Sequence, residues 1–108
     1  MATFNQLDVL AKDIAAKAFS SPESSYTAKL LSKGVEKCAK KFGEEAVELA
    51  LAAVQNKRED TTKEAADVLY HLLVLLQASG VSPAAVMDEL KRREGTSGLV
   101  EKASRKND

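Results

Sequence analysis

Five carboxylates stand in two tight clusters, Glu44, Glu45 and Glu48 in the first and Glu64 and Asp67 in the second. Where each cluster is helical, Glu45 and Glu48 share one helix face, and Glu64 and Asp67 share another, because residues three apart are neighbours on a helix. The stretch between them, Asn56 to Thr62 (NKREDTT), reads as a short polar turn. The two helices are therefore expected to fold back as an antiparallel pair on which the carboxylate pairs meet. Four carboxylates in one groove repel one another until cations neutralise them. Oxygen-only ligand sets of this kind suit Mg²⁺ or Mn²⁺, whereas zinc prefers His and Cys.

The surroundings of the second pair sharpen this reading. From Ala65 the chain runs AADVLYHLLVLLQA, apolar at almost every position from Val68 to Leu76. A helix with no evident solvated side is expected at the buried centre of the fold. At the mouth of such a helix an ionised carboxylate needs a partner or a shifted pKa, and a metal ion is such a partner. The run is too short and too closely flanked by charges to span a bilayer, which takes about 20 apolar residues. Alone, Glu44-Glu45-x-x-Glu48 is the pattern of an ordinary solvated face paired with Lys40 and Lys41. A second acidic pair on an apolar helix turns the balance toward a metal site.

The elements that must position these groups read as helices throughout. Ala, Leu, Val, Lys and Glu dominate, and no run alternates as a strand does. A chain of 108 residues is one domain with a modest core, which leaves room for further burial by self-association. Sixteen basic and sixteen acidic residues give a formal net charge of zero, which argues against a general nucleic-acid binder or a membrane-surface protein. The single cysteine, Cys38, excludes an internal disulfide and fits a reducing compartment. The N-terminus has no signal-type apolar stretch, so the cytoplasm is the expected location.

In chain order, a first helix begins at Thr3 with Phe4, Leu7, Leu10, Ile14 and Ala18 on one inward stripe. The segment Ser20 to Ser25 breaks it at Pro22, and Ser24 or Ser25 can cap a short second helix, Tyr26 to Lys33, closed by Gly34. A third runs from about Val35 to Gln55 through Gly43, where a missing side chain lets something approach the backbone. On it Lys37, Lys41, Glu44 and Glu48 form one stripe with Glu45 at its edge. Val35, Cys38, Ala39, Phe42, Ala46, Leu49, Ala50 and Ala53 form the other side. Thr61 with Glu64 matches a capping box opening the fourth helix, which would tie Glu64 to backbone. Thr62 as cap would free it, and the sequence does not choose. The fourth helix ends near Ser79 at Gly80. Ser82 and Pro83 open a fifth, with Val86, Leu90 and Met87 expected inward. The tail from Gly95, with Lys102, Arg105 and Lys106, has little to bury and is expected to be flexible or ordered by an anion; its Gly95 to Gly98 segment is a weak phosphate-loop candidate.

Three residues are read as structural. His71, alone on an apolar helix, is taken as a hydrogen-bonded core residue and not a ligand. Tyr70 is taken as core or interface and Cys38 as inert packing. The cations Lys29, Lys33, Lys37, Lys41, Arg92 and Arg93 flank the acidic groove. Carboxylates beside cations suit a substrate with several phosphates bridged by metal.

At these residues the chain resembles the all-α nucleoside triphosphate pyrophosphohydrolases, with their E-E-x-x-E followed by E-x-x-D on the next helix. More narrowly it is similar to the phosphoribosyl-ATP pyrophosphatase family, through SYTAKLLSKG (Ser25 to Gly34), KKFGEEAVE (Lys40 to Glu48), EAADVLYHLLVLL (Glu64 to Leu76) and RREGTSGLVEKASR (Arg92 to Arg105). The resemblance implies hydrolysis of phosphoribosyl-ATP to phosphoribosyl-AMP and pyrophosphate, the second step of histidine biosynthesis, with Mg²⁺ required. It implies that Glu45, Glu48, Glu64 and Asp67 bind metal, while Glu44 joins them or orients water. Lys37, Lys41, Arg92 and Arg93 are added as phosphate contacts. The fold implied is an all-α bundle of about five helices, completed as a homodimer, and the length implies the form without a fused cyclohydrolase. Two rivals stand beside it: a house-cleaning pyrophosphohydrolase acting on other nucleoside triphosphates, and a non-catalytic helical dimerisation module. A ferritin-like di-metal bundle would need Glu-x-x-His where this chain has Glu-x-x-Asp.

Overall fold

The computed structural model describes residues 1–95 and 98–105, the last stretch by backbone alone at residues 100 and 101. Among these residues all regular structure is helical. The order is α1 (Asn5–Lys17), α2 (Tyr26–Ser32), α3 (Val35–Val54), α4 (Arg58–Ser79), α5 (Pro83–Arg93) and α6 (Gly98–Ser104). The sixth helix lies in the tail that the sequence left without structure; Lys106 falls outside the described residues, as do Thr96 and Ser97 of the Gly95 to Gly98 segment.

The frame is the hairpin of α3 on α4, and its turn is tighter than the polar stretch suggests. Asn56 takes the left-handed conformation, φ 58°. Its N–H bonds the Ala53 carbonyl and the Lys57 N–H bonds the Ala52 carbonyl, each at 3.1 Å. This double bond pattern ends a helix when one residue can turn left-handed, a conformation asparagine tolerates. Helix α4 then starts at Arg58, with Glu59 and Asp60 in its first turn, where the helix dipole favours acids. The expected capping boxes at Thr61 and Thr62 do not form. Both hydroxyls donate to the carbonyl four residues back, Thr61 to Lys57 at 2.7 Å and Thr62 to Arg58 at 3.0 Å. Glu64 therefore sits inside the helix with its side chain free. At the far end Gly80, φ 73°, repeats the left-handed stop, with the Val81 N–H on the Leu76 carbonyl at 3.0 Å.

Helices α1 and α2 close over one side of α4. Ser25 caps α2 by accepting from the Ala28 N–H at 3.1 Å. Ile14, Leu30, Cys38 and Val74 form the core, flanked by Leu10, Leu31, Tyr70, Leu73, Leu75 and Ala78. The Cys38 thiol is buried and donates to the Leu30 carbonyl. Thr27 and Tyr70 join their hydroxyls at 2.5 Å across the α2–α4 contact, and the Tyr26 ring stacks on Tyr70 at 6.5 Å. Helix α1 starts at Asn5, not Thr3, which leaves Phe4 at its mouth 89% exposed and outside the core.

Two expectations about buried faces are corrected. Helix α4 is central, since α1, α2 and α3 all pack on it, yet only His71 and Val74 are fully buried and Leu69 is exposed. The fifth helix, capped by Ser82 onto Ala85 as expected, buries none of its residues; Val86 is half-buried, but Met87 and Leu90 face outward. Helix α3 follows the expected division in part: Cys38, Phe42, Ala46 and Leu49 are buried or half-buried as expected, Lys41, Glu45 and Ala52 join them on the inward face, and Val35, Ala39, Ala50 and Ala53 lie outside. Val47, Leu51 and Val54, spaced as one helical stripe, are 60%, 54% and 81% exposed. No single helix is long and apolar enough to cross a membrane among the described residues.

Candidate active site

Because the hairpin folds about Asn56, positions equally far from it along the chain stand side by side. Glu48 lies opposite Glu64, Glu45 opposite Asp67, and Lys41 opposite His71. One carboxylate oxygen from each of Glu45, Glu48 and Glu64 falls within 4.8 Å of the others. Asp67 stands outside this trio on the exposed flank of α4, one turn further along. Glu44 also lies outside it, exposed and paired with Lys41 at 3.8 Å. Lys41, Gly43, Glu44, Glu45, Val47 and Glu48 line an open cleft of about 560 Å³. A side chain built at Gly43 would meet nothing within 4 Å, so the backbone is open to a ligand there. A second groove, between the start of α1 and Ala66 and Leu69 of α4, holds no ionisable side chain and has no part in this chemistry.

The trio bears the electrostatic mark of its own crowding. Glu64 Oε2 is shut off from solvent with no hydrogen-bond donor. Loss of water, a proton shared with Glu45 and repulsion from Glu48 and Glu45 together raise its pKa to about 7. Three acidic side chains so placed, one oxygen orphaned, fit a hard divalent cation that takes oxygen ligands. His71, 6% exposed, has its pKa lowered by burial and by Lys41, against the pull of Glu45 and Asp67, which holds the ring neutral. Its Nδ1 is buried and unpartnered, so the hydrogen bond expected of a core histidine is missing.

The cations are distributed differently from one another. Lys37 and Lys41 are half-buried on α3, beside or on the line of Glu45, whereas Lys29 and Lys33 are exposed on and after α2. Arg92 and Arg93 both hold Glu89 of α5, at 2.7 and 2.8 Å, which brings the Glu89 pKa down to about 2. The sequence reading missed Glu89, although its spacing of three and four from the arginines is the signal of helical ion pairs.

An all-α hairpin that brings three glutamates together, with Lys41 on the adjoining cleft, has the donor set of a divalent-cation site. The model of the phosphoribosyl-ATP pyrophosphohydrolase family matches residues 7–94. The chain is 63% identical to a phosphoribosyl-ATP pyrophosphatase of Dinoroseobacter shibae over 85% of its own length and 90% of the relative's. It is 59% identical to that of Cereibacter sphaeroides, covering 92% and 96%. To that of Paracoccus denitrificans it is 60% identical, covering 90% of each. The chain belongs to the phosphoribosyl-ATP pyrophosphohydrolase family, and it is a hydrolase.

Proposed function

We infer that this chain hydrolyses the α,β-phosphoanhydride of phosphoribosyl-ATP, giving phosphoribosyl-AMP and pyrophosphate, the second step of histidine biosynthesis. The observation that carries the reading is the trio of Glu45, Glu48 and Glu64, with a buried oxygen of Glu64 unsatisfied, in a protein whose relatives bear that enzyme's name. Glu45, Glu48 and Glu64 would hold Mg²⁺, with Asp67 as the fourth ligand from the exposed flank. The chemistry such an ion supplies when bound is neutralisation of charge on the departing pyrophosphate and a lowered pKa for the attacking water. The chain's own groups do the rest. Lys37 and Lys41 contact phosphate oxygens from α3. Arg92 and Arg93, paired with Glu89, do so from α5. Glu44, outside the trio, orients the water.

A homodimer belongs to the same reading. Val47, Leu51 and Val54 form an exposed apolar stripe on the side of α3 away from α4, and a second copy is the partner that would cover it. Cytoplasmic residence is supported by a lone thiol that is packed and not paired. The deciding experiment incubates purified protein with phosphoribosyl-ATP and Mg²⁺, measures pyrophosphate, and repeats the assay with a panel of nucleoside triphosphates. Preferred release from phosphoribosyl-ATP, lost in Glu48→Gln and Asp67→Asn with helicity unchanged, is the expected result. Preference for another triphosphate, or no turnover at all, overturns it.

A further inference from the structure

The face of α4 turned toward α3 holds two side-chain atoms cut off from solvent and without a partner, Glu64 Oε2 and His71 Nδ1. The first belongs to the proposed metal site; the second has no role in it so far. Buried polar atoms nearly always have a partner, so an orphan calls for one that arrives or turns toward it. Helical side chains lean toward the N-terminus of their own helix. For His71 that direction is the turn carrying Asp67, and for Glu45 it is the level of Lys41, which faces His71 across the hairpin. The charged groups acting on the ring are Glu45 and Lys41 from α3 and Asp67 from α4. The Tyr70 ring meets it edge-on at 5.0 Å. Lys41 is paired with Glu44 at 3.8 Å, and Asp67 is exposed to water. Glu45 is half-buried and is the member of the trio whose charge acts on the ring.

We propose that His71 is a positioning residue for the metal site, its Nδ1–H holding one carboxylate oxygen of Glu45 when the site is loaded. This rests on the metal-site reading above. Carboxylates that bind metal are themselves oriented by hydrogen bonds from the layer behind them, and loss of such a partner weakens metal binding. A buried, unpartnered Nδ1 one layer behind the trio is the donor such a carboxylate would take.

His71 is the only histidine of the chain, so two direct measurements are open. Mn²⁺ binding to the otherwise metal-free protein, followed by electron paramagnetic resonance, should weaken roughly 10- to 100-fold in His71→Phe. His71→Asn, which offers an amide N–H near the place of Nδ1, should recover most of the loss. In wild-type protein labelled with ¹⁵N-histidine, Mg²⁺ should shift the Nδ1 resonance, and Glu45→Gln should remove the shift. A folded His71→Phe that binds Mn²⁺ as tightly as wild type overturns the inference, as does an Nδ1 resonance indifferent to Mg²⁺ in protein that binds it. Wild-type protein that binds no Mn²⁺ refutes the metal site itself, a different result from either.

Discussion

Loading the acidic trio with a divalent ion should expel a proton, and Glu64 sets how many. Its pKa of about 7 leaves the carboxyl protonated over a range where an ordinary glutamate is ionised. Only the ionised form binds metal, so each ion bound at pH 6 should release about 0.9 proton, at pH 7 about 0.5 and at pH 8 about 0.1. Below pH 7 the apparent affinity should fall about tenfold per pH unit from this group alone. Isothermal titration with Mg²⁺ or Mn²⁺ in buffers of low and high ionisation enthalpy measures the proton count directly. Glu64→Gln should abolish the release. The same proton also bears on folding. A carboxyl whose folded pKa is raised above 4.5 favours the folded state below that value and loses this contribution as pH rises toward and past 7. The melting temperature of metal-free protein should therefore drop between pH 5 and pH 8 by more than in Glu64→Gln. Proton release near zero at pH 6, or release unaltered by Glu64→Gln, would refute the crowding argument.

Other expectations concern the frame. Tyr70→Phe strands the buried Thr27 hydroxyl and should cost about 1–3 kcal/mol in urea unfolding, most of it recovered when Thr27→Val is added. Ile14→Ala, at a site 1% exposed in the core, should cost about 2–5 kcal/mol, a large share of the stability of a domain this small. Under the proposed homodimer, Leu51→Glu, at an exposed position outside the core, should leave the protein monomeric in light scattering while circular dichroism stays helical. Glu89→Gln releases Arg92 and Arg93 from their shared carboxylate and should change KM for substrate more than kcat.

The helices were legible because their punctuation is local. Ser25, Ser82 with Pro83, and Gly80 cap or stop helices through contacts within a few residues, and each does so where expected. The turn was misjudged because Asn56 reads as the start of a polar loop, while its capacity for a left-handed backbone lets the chain reverse within three residues. That error carried over to Thr61 and Thr62, which look like caps only if the helix begins after them. The trio itself was visible in the spacing of the acids. Which line of α3 faces α4 was legible only in part, through Cys38, Phe42, Ala46 and Leu49, because the helix carries apolar residues on two sides and only tertiary packing selects between them. Val47, Leu51 and Val54 lost that choice, and Glu45 and Lys41 came inward with Cys38.

The inward turn of Glu45 on α3 has a thermodynamic consequence. It brings half-buried Glu45 to half-buried Glu64 at the contact between the two longest helices, where they repel across the hairpin and one Glu64 oxygen loses its water. Without metal, the fold relieves this by keeping a proton on Glu64; under the proposed function a bound ion would take over that role and make the same contact a cross-link between helices. Ligand binding to the folded state alone adds stability that grows as the logarithm of one plus the ligand concentration over Kd, about 2.7 kcal/mol at a hundredfold excess over Kd. Removing an acid should thus act in opposite directions on the two forms, raising the melting temperature of metal-free protein and lowering that of protein in Mg²⁺. An acidic patch with no ligand would show neither crossing nor dependence on the ion, since relieving its repulsion could only stabilise.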